Sequence, residues 1–275
     1  MIITLIGTGN VASQLAQRFT AKLAPIDLII GRSEKIPMWI TILNTQCPRL
    51  NTLYTVYTSD YSKISQDTDL IIIAVNDDAI EEVAKKLSPF ISSKTLVVHT
   101  SGSIPSTVLK NYCKNFGSLY LLQTFTKNFT PDFNTIPVFY NATAGLKSKQ
   151  NYFEHLVIEA AKLLSPKIYF LEDTDRLSLH IAAVFVNNFT NHLYSIAQNI
   201  LSEKKIPFEV LLPLIRETVR KIEIQSPEKV QTGPAVRGDM KTIEKHLDFL
   251  SKKNVLYEKI YAAITNSISK NNFKK

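Results

Sequence analysis

Three groups of residues in this chain have the types and spacing to do chemistry. The first is Gly7-x-Gly9-x-x-Ala12, directly after an apolar run and at the start of a helical pattern, the arrangement of a strand-to-helix turn that holds a dinucleotide pyrophosphate. There the first glycine permits the tight turn, the second lets backbone amides approach the phosphates, and a small third residue lets the helix lie close on the strand. Gly7, Thr8, Gly9, Asn10 and Val11 are the expected phosphate-binding stretch, at a helix N-terminus whose free N–H groups favour an anion. The second group is Arg32 and Ser33, just past the apolar residues 26–30. An NAD-preferring site places Asp or Glu here to accept the ribose 2′-hydroxyl. A guanidinium and a hydroxyl suit the 2′-phosphate of NADP instead, although Arg32 also reads as a surface residue at a strand end.

The third group lies far along the chain. Residues 173–203 read as one long helix, with Leu177, Ile181, Phe185, Phe189, Ile196 and Ile200 at three- to four-residue spacing. So wide an apolar face predicts a largely buried helix. At about 100° per residue, His180, Asn187 and Asn191 share a stripe, with Asn188 at its edge. Such groups on a buried helix need partners, supplied by a cleft holding a polar ligand or by hydrogen bonds to a neighbouring helix. Arg237, in the loop QTGPAVRGD, is a fixed cation apt for a carboxylate or phosphate.

Positioning these residues takes a mainly parallel sheet. Residues 69–75 (DLIIIAV) and 95–99 (TLVVH) are continuous apolar runs, as strands covered on both faces read. Ligands bind at the carboxyl ends of parallel strands, so Val75 and Asn76 after one, and Thr100 and Ser101 after the other, are expected at the cofactor. Asp77 or Asp78 is a candidate cap for the helix near residue 79. Strands over 2–6, 26–30, 119–125, 137–140 and 167–171, with a helix over 148–164, complete a doubly wound α/β first domain. Beyond residue 172 helical periodicity takes over, including a second helix over 208–225 and a last stretch capped by Asp239 or Thr242. The expected domains are 1–172, a Rossmann NADP-binding domain, and 173–275, all-helical.

At 275 residues, 45% hydrophobic and 20% charged, the composition is that of a soluble globular protein. No apolar run approaches a membrane span, and residues 1–6 enter the glycine turn without a basic leader, so a cytoplasmic location and no membrane partner are expected. Cys47 and Cys113, at no metal-ligand spacing, read as reduced structural thiols, and no metal is expected. The net charge of +8 is partly local, since residues 241–275 hold eight lysines against three acids. No nucleic-acid motif or stacking aromatics accompany them, so a solvated helical face is expected and a nucleic-acid partner is not.

GTGNVA, NDDAI, HTSG, LHIAAVFVNNFTNHL and QTGPAVRGD together resemble the NADP oxidoreductases built from a Rossmann-like domain joined to a DUF2520 domain, similar in architecture to pyrroline-5-carboxylate reductase and the β-hydroxyacid dehydrogenases. The resemblance spans essentially the whole chain. It implies a C-terminal domain like that of 6-phosphogluconate dehydrogenase, a small-molecule substrate and a homodimer. In the β-hydroxyacid dehydrogenases a catalytic lysine precedes a paired asparagine; here the pair is Asn187 and Asn188, but the position four before Asn188 is Val184. His180, about one turn earlier, is the expected replacement, because imidazole titrates near neutral pH. Two functions follow. One is an NADP-dependent reductase acting on a small C=O or C=N substrate, with His180 moving the proton, Asn188 orienting the acceptor and Arg237 holding a carboxylate. The other is a non-catalytic NADP(H)-binding sensor or dimeric scaffold.

Overall fold

The computed structural model describes the whole chain except Pro25, residues 47–54, Asn128 and residues 273–275. Two compact units divide it, Met1–Phe185 and Val186–Lys275. The first is built on eight strands: β1 (Ile3–Ile6), β2 (Leu28–Ile30), β3 (Val56–Thr58), β4 (Leu70–Ile73), β5 (Leu96–His99), β6 (Asn115–Leu121), β7 (Val138–Thr143) and β8 (Ile168–Phe170). Its helices are α1 (Asn10–Ala21), α2 (Met38–Gln46), α3 (Ile80–Leu87), α4 (Gln150–Leu164) and α5 (Asp173–Ala183). The spatial order is β3-β2-β1-β4-β5-β6-β7-β8. All neighbouring pairs are parallel except β6 with β7.

The chain lays strands outward from β1 in one direction through β3, then returns to β4 and proceeds the other way. The carboxyl ends of β1 and β4 therefore flank the point where the topology reverses, which is where open α/β sheets bind ligands. Alternation explains the unbroken apolar runs. Leu70, Ile72, Leu96 and Val98 join a core under α1 and α4, while Ile71, Ile73 and Val97 join the opposite core with Ile80, Ala84 and Leu87 of α3. Each such side chain is worth about 1.5–3 kcal/mol when buried.

Several expectations change. The strand expected over 119–125 is β6, which starts at Asn115 and leaves the sheet after Leu121. Its first half carries polar residues satisfied inside the sheet: Asn115 Nδ2 donates to the carbonyls of Ser93 and Thr95, and Ser118 Oγ donates to Asn141 Oδ1. Neither Asp77 nor Asp78 caps a helix; a one-turn helix over Asp77–Ala79 leads into α3 with no side-chain cap, and Asp77 Oδ2 accepts from Ser103 Oγ at 2.5 Å. Cys113 is buried and free, its thiol pushed up to about 12 by that burial. Cys47 lies outside the described residues.

The long helix is not uniform. After α5 the backbone passes through a π-helical segment, Val184–Phe189, before α6 (Thr190–Ser202). A π turn bonds i to i+5, so the 100° grouping of His180, Asn187 and Asn191 rests on a period that these residues do not follow. Nor is the apolar stripe covered in the single chain: Ile181, Phe185 and Phe189 are about half exposed, at 49%, 62% and 51%.

In the second unit α7 (Leu212–Ile224), α8 (Pro227–Val230), α9 (Pro234–Arg237), α10 (Met240–Lys253) and α11 (Val255–Asn272) follow α6. Asp239 caps α10, accepting from the Thr242 N–H and hydroxyl. Asn254 separates the last two helices and accepts from the Leu256 N–H. Among the described residues no helix is long and apolar enough to cross a membrane.

Candidate active site

The turn after β1 is closed by the Gly7 N–H donating to the Ile30 carbonyl at 2.9 Å. Gly7 has φ +125°, and a Cβ there would lie 2.1 Å from the Ala74 carbonyl oxygen, so no other residue fits without moving β4. Gly9 stands at the N-cap of α1 with no side-chain cap, and a Cβ on it would meet nothing within 4 Å. The first helical bond runs from Ser13 N–H to Gly9 O, which leaves the amides of Asn10, Val11 and Ala12 pointing out of the helix end. This open, amide-lined space fits a pyrophosphate.

A cleft of about 220 Å³ runs from here along the sheet edge. Six expected cofactor residues line it: Gly7, Thr8, Gly9, Arg32, Val75 and Asn76. Arg32 is exposed and makes no ion pair among the described residues, so its charge is available to an anion. Tyr61, Ala79 and Val83 add an apolar wall that the sequence reading missed. The other five residues are placed differently. Asn10 Nδ2 donates to the Phe125 carbonyl at 3.1 Å, and Val11 packs against the core. Ser33 is exposed, its carbonyl accepting from the Tyr57 hydroxyl at 2.5 Å. The Thr100 N–H donates to the Ile73 carbonyl. Ser101 is buried, its hydroxyl accepting from the amides of Ser103 and Ile104, so it shapes the loop and does not line the cleft.

Two strands farther along the same edge, α5 is tied to the sheet. Arg176 is 1% exposed; its guanidinium donates to Asp173 Oδ1 at 2.6 Å, to Ser118 Oγ at 2.7 Å and to the Ile104 carbonyl. Asp173 also accepts from Asn141 Nδ2 and from the Ser106 N–H and hydroxyl. Burial by itself would raise the Asp173 carboxyl, but the Asn141 hydrogen bond and then the Arg176 charge together hold it below the ordinary carboxylate value. One turn on, His180 Nδ1 lies 3.1 Å from the Tyr120 hydroxyl, with the rings edge to face at 5.9 Å. The imidazole rests on Gly102, where a Cβ would be 2.4 Å from Nδ1. Gly102 follows β5 and Tyr120 lies near the end of β6, so His180 stands at the carboxyl edge one to two strands from β4, or about 5–10 Å.

His99, at the end of β5, is fully buried. Burial first, and then the Arg176 charge, lowers its imidazole to about 4, and its Nδ1 accepts from the Ser101 N–H at 3.2 Å. It is a neutral structural group carrying its proton on Nε2. Between the ordinary histidine value and 4 the unfolded chain binds a proton that the folded chain refuses, so stability falls as pH falls through this window. The loss on going from pH 7 to pH 4 is expected to be about 3 kcal/mol from this residue alone. Urea melts across that range check it, and His99→Asn should flatten the dependence.

Residues 2–102 match the family described as NADP oxidoreductase coenzyme F420-dependent, and residues 142–268 match DUF2520, a domain of unknown function. Across 98% of this chain and 97% of the other, a Bacteroides fragilis structure assigned to the NADP oxidoreductases is 33% identical, with TM-score 0.82. The chain belongs to this NADP oxidoreductase family. The family's cofactor, NADP, is one that the open Gly9 turn and the uncommitted Arg32 fit. Two more distant structures share the fold. A Plasmodium falciparum pyrroline carboxylate reductase with NADP bound is 13% identical over 98% of each chain, with TM-score 0.53. An imine reductase from Myxococcus stipitatus in complex with NADP+ is 13% identical over 100% of this chain and 93% of that one, with TM-score 0.58. None of the curated proteins compared matches the chain.

Asn187, Asn188 and Arg237 belong to the second unit of this family member. Both asparagines are exposed on the π segment, and Arg237 is exposed at the end of α9, just before the left-handed Gly238. The residues that sequence reasoning missed are Tyr61, Ala79, Val83, Tyr120 and Arg176. Only Arg176 carried a signal, as a basic residue four before His180 on the same helix.

Proposed function

We propose that the chain is an NADPH-dependent reductase acting on a C=O or C=N carbon of a small, carboxylate-bearing molecule. The observation that carries this reading is the His180 imidazole, held on Gly102 by Tyr120 at the sheet edge that also bears the dinucleotide cleft. When bound, the reduced cofactor supplies the hydride. The backbone amides at the start of α1 hold the pyrophosphate, and Arg32 holds the 2′-phosphate. With Nδ1 engaged by Tyr120, the nitrogen left to hold or deliver a proton is Nε2. In the second unit, Asn188 is a candidate for orienting the acceptor and Arg237 for pairing with a carboxylate.

The test is a titration with NADPH and NADH, followed by a panel of keto acids, aldehydes and cyclic imines monitored at the reduced-cofactor absorbance. NADPH is expected to bind about 10- to 100-fold more tightly, the worth of one charge-assisted contact to the 2′-phosphate. Arg32→Asp should narrow or reverse that preference. Equal affinities would remove Arg32 from the site, and tight NADPH binding with no oxidation across the panel would favour a non-catalytic sensor.

The half-exposed apolar residues Leu177 and Ile181, one turn apart on α5, support a homodimer, because they form a larger apolar face than isolated surface residues do. Light scattering is expected to give twice the chain mass of 31.0 kDa; a monomer at micromolar concentration would refute it.

A further inference from the structure

Helix α5 and strand β6 meet through two side-chain bonds of matched spacing. Arg176 and His180 are four residues apart, about 6 Å of helical rise; Ser118 and Tyr120 are two apart on one face of the strand, about 7 Å. The first rung is Arg176 to Ser118 Oγ at 2.7 Å, and the second is the Tyr120 hydroxyl to His180 Nδ1 at 3.1 Å. The buried Arg176 rung sets where the helix lies, so the second rung acts on the imidazole alone. We infer that Tyr120 is a positioning residue for proton transfer: its hydroxyl donates to His180 Nδ1 and keeps the ring's proton on Nε2, the nitrogen available to a substrate. This rests on His180 being the proton carrier.

Two features support that contact. Burial raises the Tyr120 phenol above its ordinary value, so at neutral pH it remains an O–H donor. Gly102 supplies the clearance that lets the ring approach, since any side chain there would overlap both the imidazole and the Tyr120 ring. Phenylalanine at position 120 would keep the packing on Phe139, 6.4 Å away between ring centres, and delete only the donor. The ring would then lose both its tautomer preference and its fixed orientation.

The test is a two-bond nitrogen–proton correlation spectrum of the cofactor-free, full-length chain labelled with 15N-histidine, at a pH where the rings are neutral. His180→Ala identifies the signal among the five histidines. His180 is expected mainly as the Nε2–H tautomer, and Tyr120→Phe is expected to lower the tautomer ratio about two- to tenfold. On a substrate found in the panel, Tyr120→Phe should lower kcat about 10- to 100-fold with NADPH affinity unchanged, and should have little further effect in a His180→Ala background. A wild-type Nδ1–H tautomer overturns the inference whether or not the variant folds, and so does a tautomer ratio unmoved by Tyr120→Phe. Turnover surviving in His180→Ala overturns the reading of His180 itself, a result distinct from an unmoved tautomer, which removes only Tyr120's role.

Discussion

Replacing His180 with alanine is expected to lower kcat by about 10²- to 10⁴-fold, the range that positioned proton transfer contributes, while NADPH affinity stays within about twofold of wild type. The separation follows from the geometry. His180 touches Tyr120 and Gly102, and neither lines the dinucleotide cleft. Gly102→Ala offers an independent route to the same loss: its Cβ would lie 2.4 Å from His180 Nδ1 and 2.6 Å from Cγ, and the ring must swing away. Stopped-flow turnover with a panel substrate, alongside fluorescence titration of NADPH, reads both quantities. Full turnover in His180→Ala would remove it as proton carrier.

What could be read from the chain without its structure divides along a physical line. The turn Gly7-x-Gly9 is local backbone geometry, so residue types alone reveal it, and Arg32 follows from its distance to that turn. Strands β4 and β5 are legible because both faces are buried, which leaves unbroken apolar runs. Strand β6 is only half legible, since Asn115 and Ser118 are polar residues made acceptable by partners more than twenty residues away. Strand β3 is a three-residue edge strand that carries no pattern. The π segment after α5 is a change in hydrogen-bond register that side-chain spacing does not encode, so the grouping of His180 with Asn187 and Asn191 could not be trusted from a wheel. Tyr120 and the partners of Arg176 became visible only when segments 58 to 72 residues apart met at one sheet edge.

That meeting point has a measurable energetic weight. Arg176→Met is expected to destabilise the fold by about 3–5 kcal/mol, because it leaves Asp173 charged and half-buried without its cation. It also strips the Ile104 carbonyl and Ser118 hydroxyl of their donor. For a protein of this size such a loss lowers Tm by about 6–20 °C. The cost is an orphaned partner more than a lost attraction, so adding Asp173→Asn should recover part of it, and the two substitutions should be non-additive in a double-mutant cycle. The paired acid supplies the sign of the pH dependence: the Asp173 carboxyl is held low in the fold, so its contribution is present above the ordinary carboxylate value and is lost as pH falls through the folded one. Arg176→Met should weaken that dependence as well as the stability at neutral pH. A loss below about 1 kcal/mol in urea melts would mean that α5 is not anchored through this pair, and the placement of His180 would then have to come from the Tyr120 contact alone.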